Sequence, residues 1–147
     1  MIKIFCQSDP DLDQPIHVNV KQTAINVFNF NNIADCDLSF IFVSDEFLSD
    51  LKKKYFQKDH FTDVIAFRLN EYEESLVEGE VYISLPRAKE NARIFNQPYA
   101  KEVSRLIIHG CLHLIGFKDD SKTDKEIMRK NEDDILKITN WEGVFTS

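Results

Sequence analysis

The segment from Tyr99 to Ile115, YAKEVSRLIIHGCLHLI, limits the fold more than any other part of the chain. Apolar residues occupy nearly every side of the helix it would form, and two histidines four positions apart interrupt them. A helix that is apolar almost all round has to be buried. This one must be enclosed by other elements except along the stripe of His109 and His113. With 147 residues the chain has material for one core around such a helix and little for a second, so residues 1–147 are expected to form a single small domain. Gly116 follows the apolar run, where a left-handed residue can cap the helix.

The rest of the pattern supplies the partners of that helix. Residues 2–7 place Ile2, Ile4 and Cys6 on one face, as an opening strand would. A first helix is expected from Val20 to about Ala34, and a strand from Cys36 to Val43, an apolar run interrupted by Ser39. Ser44 reads as the N-cap of a second helix, with Phe47 and Leu51 on one face and the lysines of residues 52–58 further along. Thr62–Leu69 and Gly79–Leu85 read as strands, antiparallel neighbours across the acidic connection 70–78. Pro86 suits the first turn of a helix running from Arg87 to Phe95, and a final helix is expected from Thr123 to Trp141. Strands and helices mix without strict alternation, which predicts an α+β domain with one four-stranded mixed sheet and about five helices. The scattered phenylalanines, among them Phe28, Phe30, Phe40, Phe42 and Phe67, read as core, and isolated His17 and His60 as ordinary hydrogen-bonded histidines.

No apolar run reaches the length of a membrane span, and the N-terminus lacks the pattern of an export signal. The three cysteines, Cys6, Cys36 and Cys111, are far apart and form no C-x-x-C pair, which fits reduced thiols in a cytoplasmic protein. The formal net charge of -7 argues against a protein that coats nucleic acid through counterion release. Lys52, Lys53, Lys54 and Lys58 are either a solvated helix face or a local patch for RNA.

His109 and His113 carry the chemistry. On an α-helix, residues four apart are turned by roughly 40° and separated by about 6 Å of rise, which lets two imidazoles reach one ion. Carboxylates follow within seven residues, and a chain that turns back at Gly116 can swing Asp119 or Asp120 over the two rings. Two histidines and one carboxylate with an open fourth position would make a catalytic zinc site. In an H-E-x-x-H protease the residue after the first histidine is the general base, whereas here it is Gly110. A glycine inside a helix costs about 1 kcal/mol relative to alanine. Its presence suggests a need for space, for a neighbouring backbone or for substrate.

The run H-G-C-L-H-L-I-G-F-K-D, residues 109–119, resembles the H-G-x-L-H-L-x-G-Y-D-H signature of the YbeY family, endoribonucleases of ribosomal RNA maturation. Upstream, Tyr55, Asp59 and the run from Thr62 to Phe67 look like that family's Y-R-x-x-D-x-P-T-D-V-L-S-F, and Gly79–Ile83 like its G-D-I-x-I strand. Glu102 stands where the family has a glutamate. The likeness implies a zincin-like α+β fold and one zinc ion. It also implies metal-activated attack of water on an RNA phosphodiester in small-subunit rRNA 3′-end processing and ribosome quality control. RNA or a ribosomal particle would be the partner, with ribosomal protein contacts and no DNA.

Two positions depart from the family pattern. Asp119 falls at the third histidine, so the implied ligands are His109, His113 and Asp119. Phe56 replaces a functional arginine, a charge that Lys53, Lys54, Lys58 or Arg105 would have to supply. Arg105, Glu102 and Asp63 are the catalytic candidates. Two rival readings are a metalloprotease-like hydrolase and a ribosome assembly factor whose metal is structural.

Overall fold

The computed structural model describes residues 1–56 and 62–146, without the side chain of Phe56. The expectations for Lys58, Asp59, His60 and the Phe56 side chain therefore fall outside the described residues. The elements run β1 (Ile2–Ser8), α1 (His17–Phe30), β2 (Asp35–Val43), α2 (Asp45–Phe56), β3 (Val64–Arg68), β4 (Leu76–Ser84), α3 (Leu85–Ile94), α4 (Tyr99–Leu114) and α5 (Lys122–Lys137), closing on a 3-10 turn at Trp141–Gly143. The sheet has the order β1-β2-β4-β3; β1, β2 and β4 are parallel, and β3 is antiparallel to β4. This is the expected mixed sheet with five α-helices.

Strand periodicity decides which side of the sheet is core. In β2 the buried residues are Cys36, Leu38, Phe40 and Phe42, paired in register with Val77, Gly79, Val81 and Ile83 of β4. They form one cluster with residues of α1 and α4. The opposite face carries a smaller cluster of Val43, Leu48 and Ile65, joined by Ile41, Leu51, Phe67 and Tyr82. Leu48, rather than Phe47, points inward from α2: Phe47 is 49% exposed and stacks on Tyr82. Ser44 caps α2 as expected, its Oγ accepting from the Phe47 N–H at 3.1 Å. Phe28, Phe40 and Phe42 are core, whereas Phe30 is 43% exposed at the end of α1 and His17 is exposed on the first turn.

Three helix boundaries differ from expectation for local reasons. Helix α1 starts at His17 because the Ile16 carbonyl accepts from the N–H groups of Asn19 and Val20, while the Ile16 N–H is fixed on the Val144 carbonyl. It stops at Phe30 because Asn32 takes a positive φ of 60° and the Ile33 N–H folds back onto the Phe28 carbonyl. Helix α5 ends at Lys137, four residues short of Trp141. The Thr139 hydroxyl donates to the Ile135 carbonyl at 2.7 Å there.

Helix α4 is the centre of the molecule. Val103, Leu106, Ile107, Ile108, Cys111, Leu112 and Leu114 are all buried. Gly110 is needed for packing: a Cβ there would lie 2.5 Å from a methyl of Val81. The space it leaves is filled by a β4 side chain, not by backbone or substrate. Its half-buried residues include Glu102, Arg105, His109 and His113, spaced at i, i+3, i+7 and i+11, so they share one stripe.

Candidate metal centre

The end of α4 builds the site by local rules. Gly116, at φ +104°, lets the chain reverse, with the Gly116 N–H on the His113 carbonyl (3.1 Å) and the Phe117 N–H on the Leu112 carbonyl (3.0 Å). This is a Schellman motif. Arg68 of β3 secures the same helix end, donating to the Leu114 carbonyl at 2.8 Å. The reversal places the Phe117 carbonyl 3.1 Å from His113 Nδ1 and brings Asp119 over the two rings.

The tautomers of both histidines follow from their partners. A carbonyl can only accept, so His113 Nδ1 carries its proton toward Phe117. His109 Nδ1 lies 2.6 Å from Glu132 Oε2, while Glu132 Oε1 accepts from Arg105 at 2.9 Å. A carboxylate engaged with a guanidinium is ionised and accepts from the imidazole as well. With both rings neutral, as metal ligands must be, the two Nε2 atoms present lone pairs, and they face each other at 3.0 Å. Two such lone pairs repel unless a cation lies between them.

Asp119 Oδ2 completes the group, 3.3 Å from His113 Nε2 and 3.7 Å from His109 Nε2. Ligand bonds of 2.0–2.2 Å at tetrahedral angles put neighbouring donors about 3.3 Å apart, and these three donors span that spacing. Among the described residues, His109, His113 and Asp119 form the one histidine, cysteine or carboxylate group close enough to share an ion. The donor set, two neutral imidazoles and a carboxylate, fits a divalent transition metal better than magnesium or calcium. Asp120 is exposed on the same turn.

The electrostatics separate the two rings. Burial works to lower the His109 pKa, but the Glu132 carboxylate, with Asp119 and Asp63, outweighs it and raises the value. His113 is lowered, by burial and then by the neighbouring His109. Burial raises the Asp63 carboxyl, against the pull of His109, and raises Glu102 with help from Asp63.

The site opens into a cavity of about 770 Å³, lined in part by Asp63, His113, Asp119, Lys52, Tyr72 and Lys118. Of the expected catalytic residues, Asp63 is on this wall, its Oδ2 accepting from the Asn91 side chain at 3.1 Å. Glu102 lines an adjoining cavity beyond His109. Arg105 lines the same adjoining cavity, its guanidinium bound to Glu132 and Asp133, each at 2.9 Å. Lys53 and Lys54 are exposed, and among the described residues of the run Lys52 is the lysine that reaches the cavity.

Sequence reasoning missed Glu132, which is only 3% exposed. Its signal was present: Glu132 lies in the inward stripe of α5 with Met128, Ile135 and Leu136. A carboxylate on an apolar stripe needs a partner, here His109 and Arg105.

Comparisons with known proteins bear on the family and the fold. Residues 5–140 match the family described as Endoribonuclease YbeY. The Endoribonuclease YbeY of Flavobacterium psychrophilum is 38% identical over 107 residues, 73% of this chain and 75% of the relative. That of Amoebophilus asiaticus is 41% identical over 107 residues, covering 73% and 72%. The solution structure of TM1509 from Thermotoga maritima superposes with a TM-score of 0.61 at 27% identity, covering 92% of this chain and 90% of that one. On its sequence, its fold and the arrangement around α4, the chain belongs to the YbeY family.

Proposed function

We propose that residues 1–147 work as one zinc-dependent endoribonuclease domain in the cytoplasm, cutting ribosomal RNA or a ribosomal particle during maturation of the small-subunit 3′ end. The observation that carries this reading is the pair of Nε2 atoms facing each other at 3.0 Å, closed by Asp119 on the lining of an open cavity. His109, His113 and Asp119 would hold the ion. When bound there, zinc would polarise a phosphoryl oxygen and acidify a water molecule.

The protein's own groups supply the rest. Asp63 is on the cavity wall with its carboxyl raised by burial, and it is the residue we assign to proton transfer. Arg105 keeps Glu132 ionised and in place, and Glu132 in turn fixes the His109 ring. Glu102 shares the adjoining cavity with Asp63, and burial and Asp63 raise its carboxyl. Lys52 and Lys118 on the cavity lining suit a phosphodiester better than a peptide. The position occupied by the general base of H-E-x-x-H proteases is filled by Gly110, packed on Val81.

The test is cleavage of a single-stranded and a structured RNA beside a casein-derived peptide, with and without chelator. RNA cleavage that chelator abolishes and zinc restores is expected, and Asp63→Asn should lower kcat while leaving metal content unchanged. Intact RNA with zinc-loaded protein, or peptide cleavage in its place, overturns the reading.

A further inference from the structure

Beyond the wide cavity lies a second one of about 380 Å³, whose lining shares Asp63, His109 and Asp119 with the first. The metal-ligand group therefore sits where the two meet. Three helices each turn one face toward the smaller cavity at helical spacing: Asn91 and Phe95 from α3, Glu102, Arg105 and His109 from α4, and Lys125, Arg129 and Glu132 from α5.

Four carboxylates line this cavity: Asp63 accepts from the Asn91 side chain, and Glu102 lies in the opposing fields of Asp63 on one side and Arg105 and Arg129 on the other. Glu132 is held by Arg105 and His109, and Asp119 belongs to the ligand group. What faces outward is different in kind: the Phe95 ring, 65% exposed at the end of α3, and the exposed cations Lys125 and Arg129, the latter 4.0 Å from Glu132. An exposed aromatic ring and two cations lining one cavity are the combination by which proteins hold single-stranded nucleic acid: the ring stacks on a base and the cations meet the backbone.

Resting on the endoribonuclease reading above, we infer that the smaller cavity is a nucleotide subsite. It seats one nucleotide adjoining the scissile phosphate, with its base on Phe95 and its phosphate between Lys125 and Arg129. The strand on the other side of that phosphate lies in the wide cavity, past Tyr72 and Lys118. The ligand class is single-stranded RNA threaded across the junction rather than a duplex resting on the surface, because the two cavities meet at a recessed group.

Binding of a fluorescein-labelled 2′-O-methyl RNA octamer to the metal-loaded protein, followed by anisotropy over a range of salt with the octamer checked intact on a gel, tests this. Phe95→Ala should weaken binding by about 5- to 150-fold, while Phe95→Trp retains it. The double variant Lys125→Gln, Arg129→Gln should make the slope of log affinity against log salt shallower by about 0.7, the contribution of the one single-strand phosphate that the two side chains share. All three positions are exposed, so the thermal midpoints should stay at the wild-type value. Wild-type binding by both the Phe95→Ala and the double variant overturns the subsite and leaves the endoribonuclease reading standing. Equal weakening in Phe95→Ala and Phe95→Trp overturns the stacking. Failure of the wild-type protein to bind the octamer removes the RNA reading and the subsite with it.

Discussion

The two histidines of α4 share one helix face, yet they are held by different kinds of structure. His113 is fixed locally: its Nδ1 donates to the carbonyl of Phe117, four residues on, in the turn made by Gly116. His109 is fixed at long range, by the Glu132 carboxylate of α5, 23 residues away, which Arg105 locks in turn. A local device depends on the conformation of a few adjacent residues. The remote one depends on the docking of a whole helix and on a buried ion pair. The first should fail gently, the second sharply.

Glu132→Ala should have the largest effect. It removes the acceptor from His109 and leaves the half-buried Arg105 without its most buried partner. Breaking a buried pair of this kind costs about 3–5 kcal/mol, read as a lower denaturant midpoint, and loss of an imidazole's outer hydrogen bond lowers metal affinity by about 10- to 100-fold. Gly116→Ala comes next. A residue with a Cβ at positive φ costs about 1–2 kcal/mol, and the loosened turn should weaken metal binding through Asp119 and His113, not His109. A larger loss in Gly116→Ala than in Glu132→Ala would reverse the comparison.

Glu102 extends the comparison to a third member of the stripe. Its carboxyl is raised above the ordinary 4.5 by burial and by Asp63, with Arg105 opposing. An acid whose pKa is raised on folding weakens the fold in its ionised form: the cost is absent below the unfolded value and grows as pH rises through the folded one. Glu102→Gln should therefore raise the thermal midpoint near about pH 7 and leave it unchanged near about pH 4. The smallest effect belongs to Asp120→Asn. Asp120 is exposed and outside the ligand group, so metal affinity and stability should stay within about 0.5 kcal/mol of wild type.

The same contrast explains what could be read from the sequence. Helix α4, its cap at Gly116, and the meeting of His109 and His113 with Asp119 or Asp120 were legible because they depend on residues within one short stretch, and the family resemblance pointed to Asp119 of the two. Strands β2 and β4 were legible through their apolar content. Glu132 was not, since nothing in the pattern of α5 says which element its inward face will meet, and an acidic residue in a polar helix reads as solvated. Gly110 was recognised as a demand for space, but the space belongs to Val81, 29 residues earlier, which only the packing of α4 on β4 reveals. Arg105 looked available for substrate for the same reason: its partners, Glu132 and Asp133, lie on another helix.

The central claim is that His109, His113 and Asp119 hold a single ion, and metal analysis joined to X-ray absorption at the metal edge tests it most directly. One zinc per chain is expected, with two imidazole nitrogens and a carboxylate oxygen at about 2.0–2.2 Å, and that metal should be lost in His113→Ala and in Asp119→Ala. A full complement of metal in His113→Ala, or a first shell containing sulfur, would contradict it.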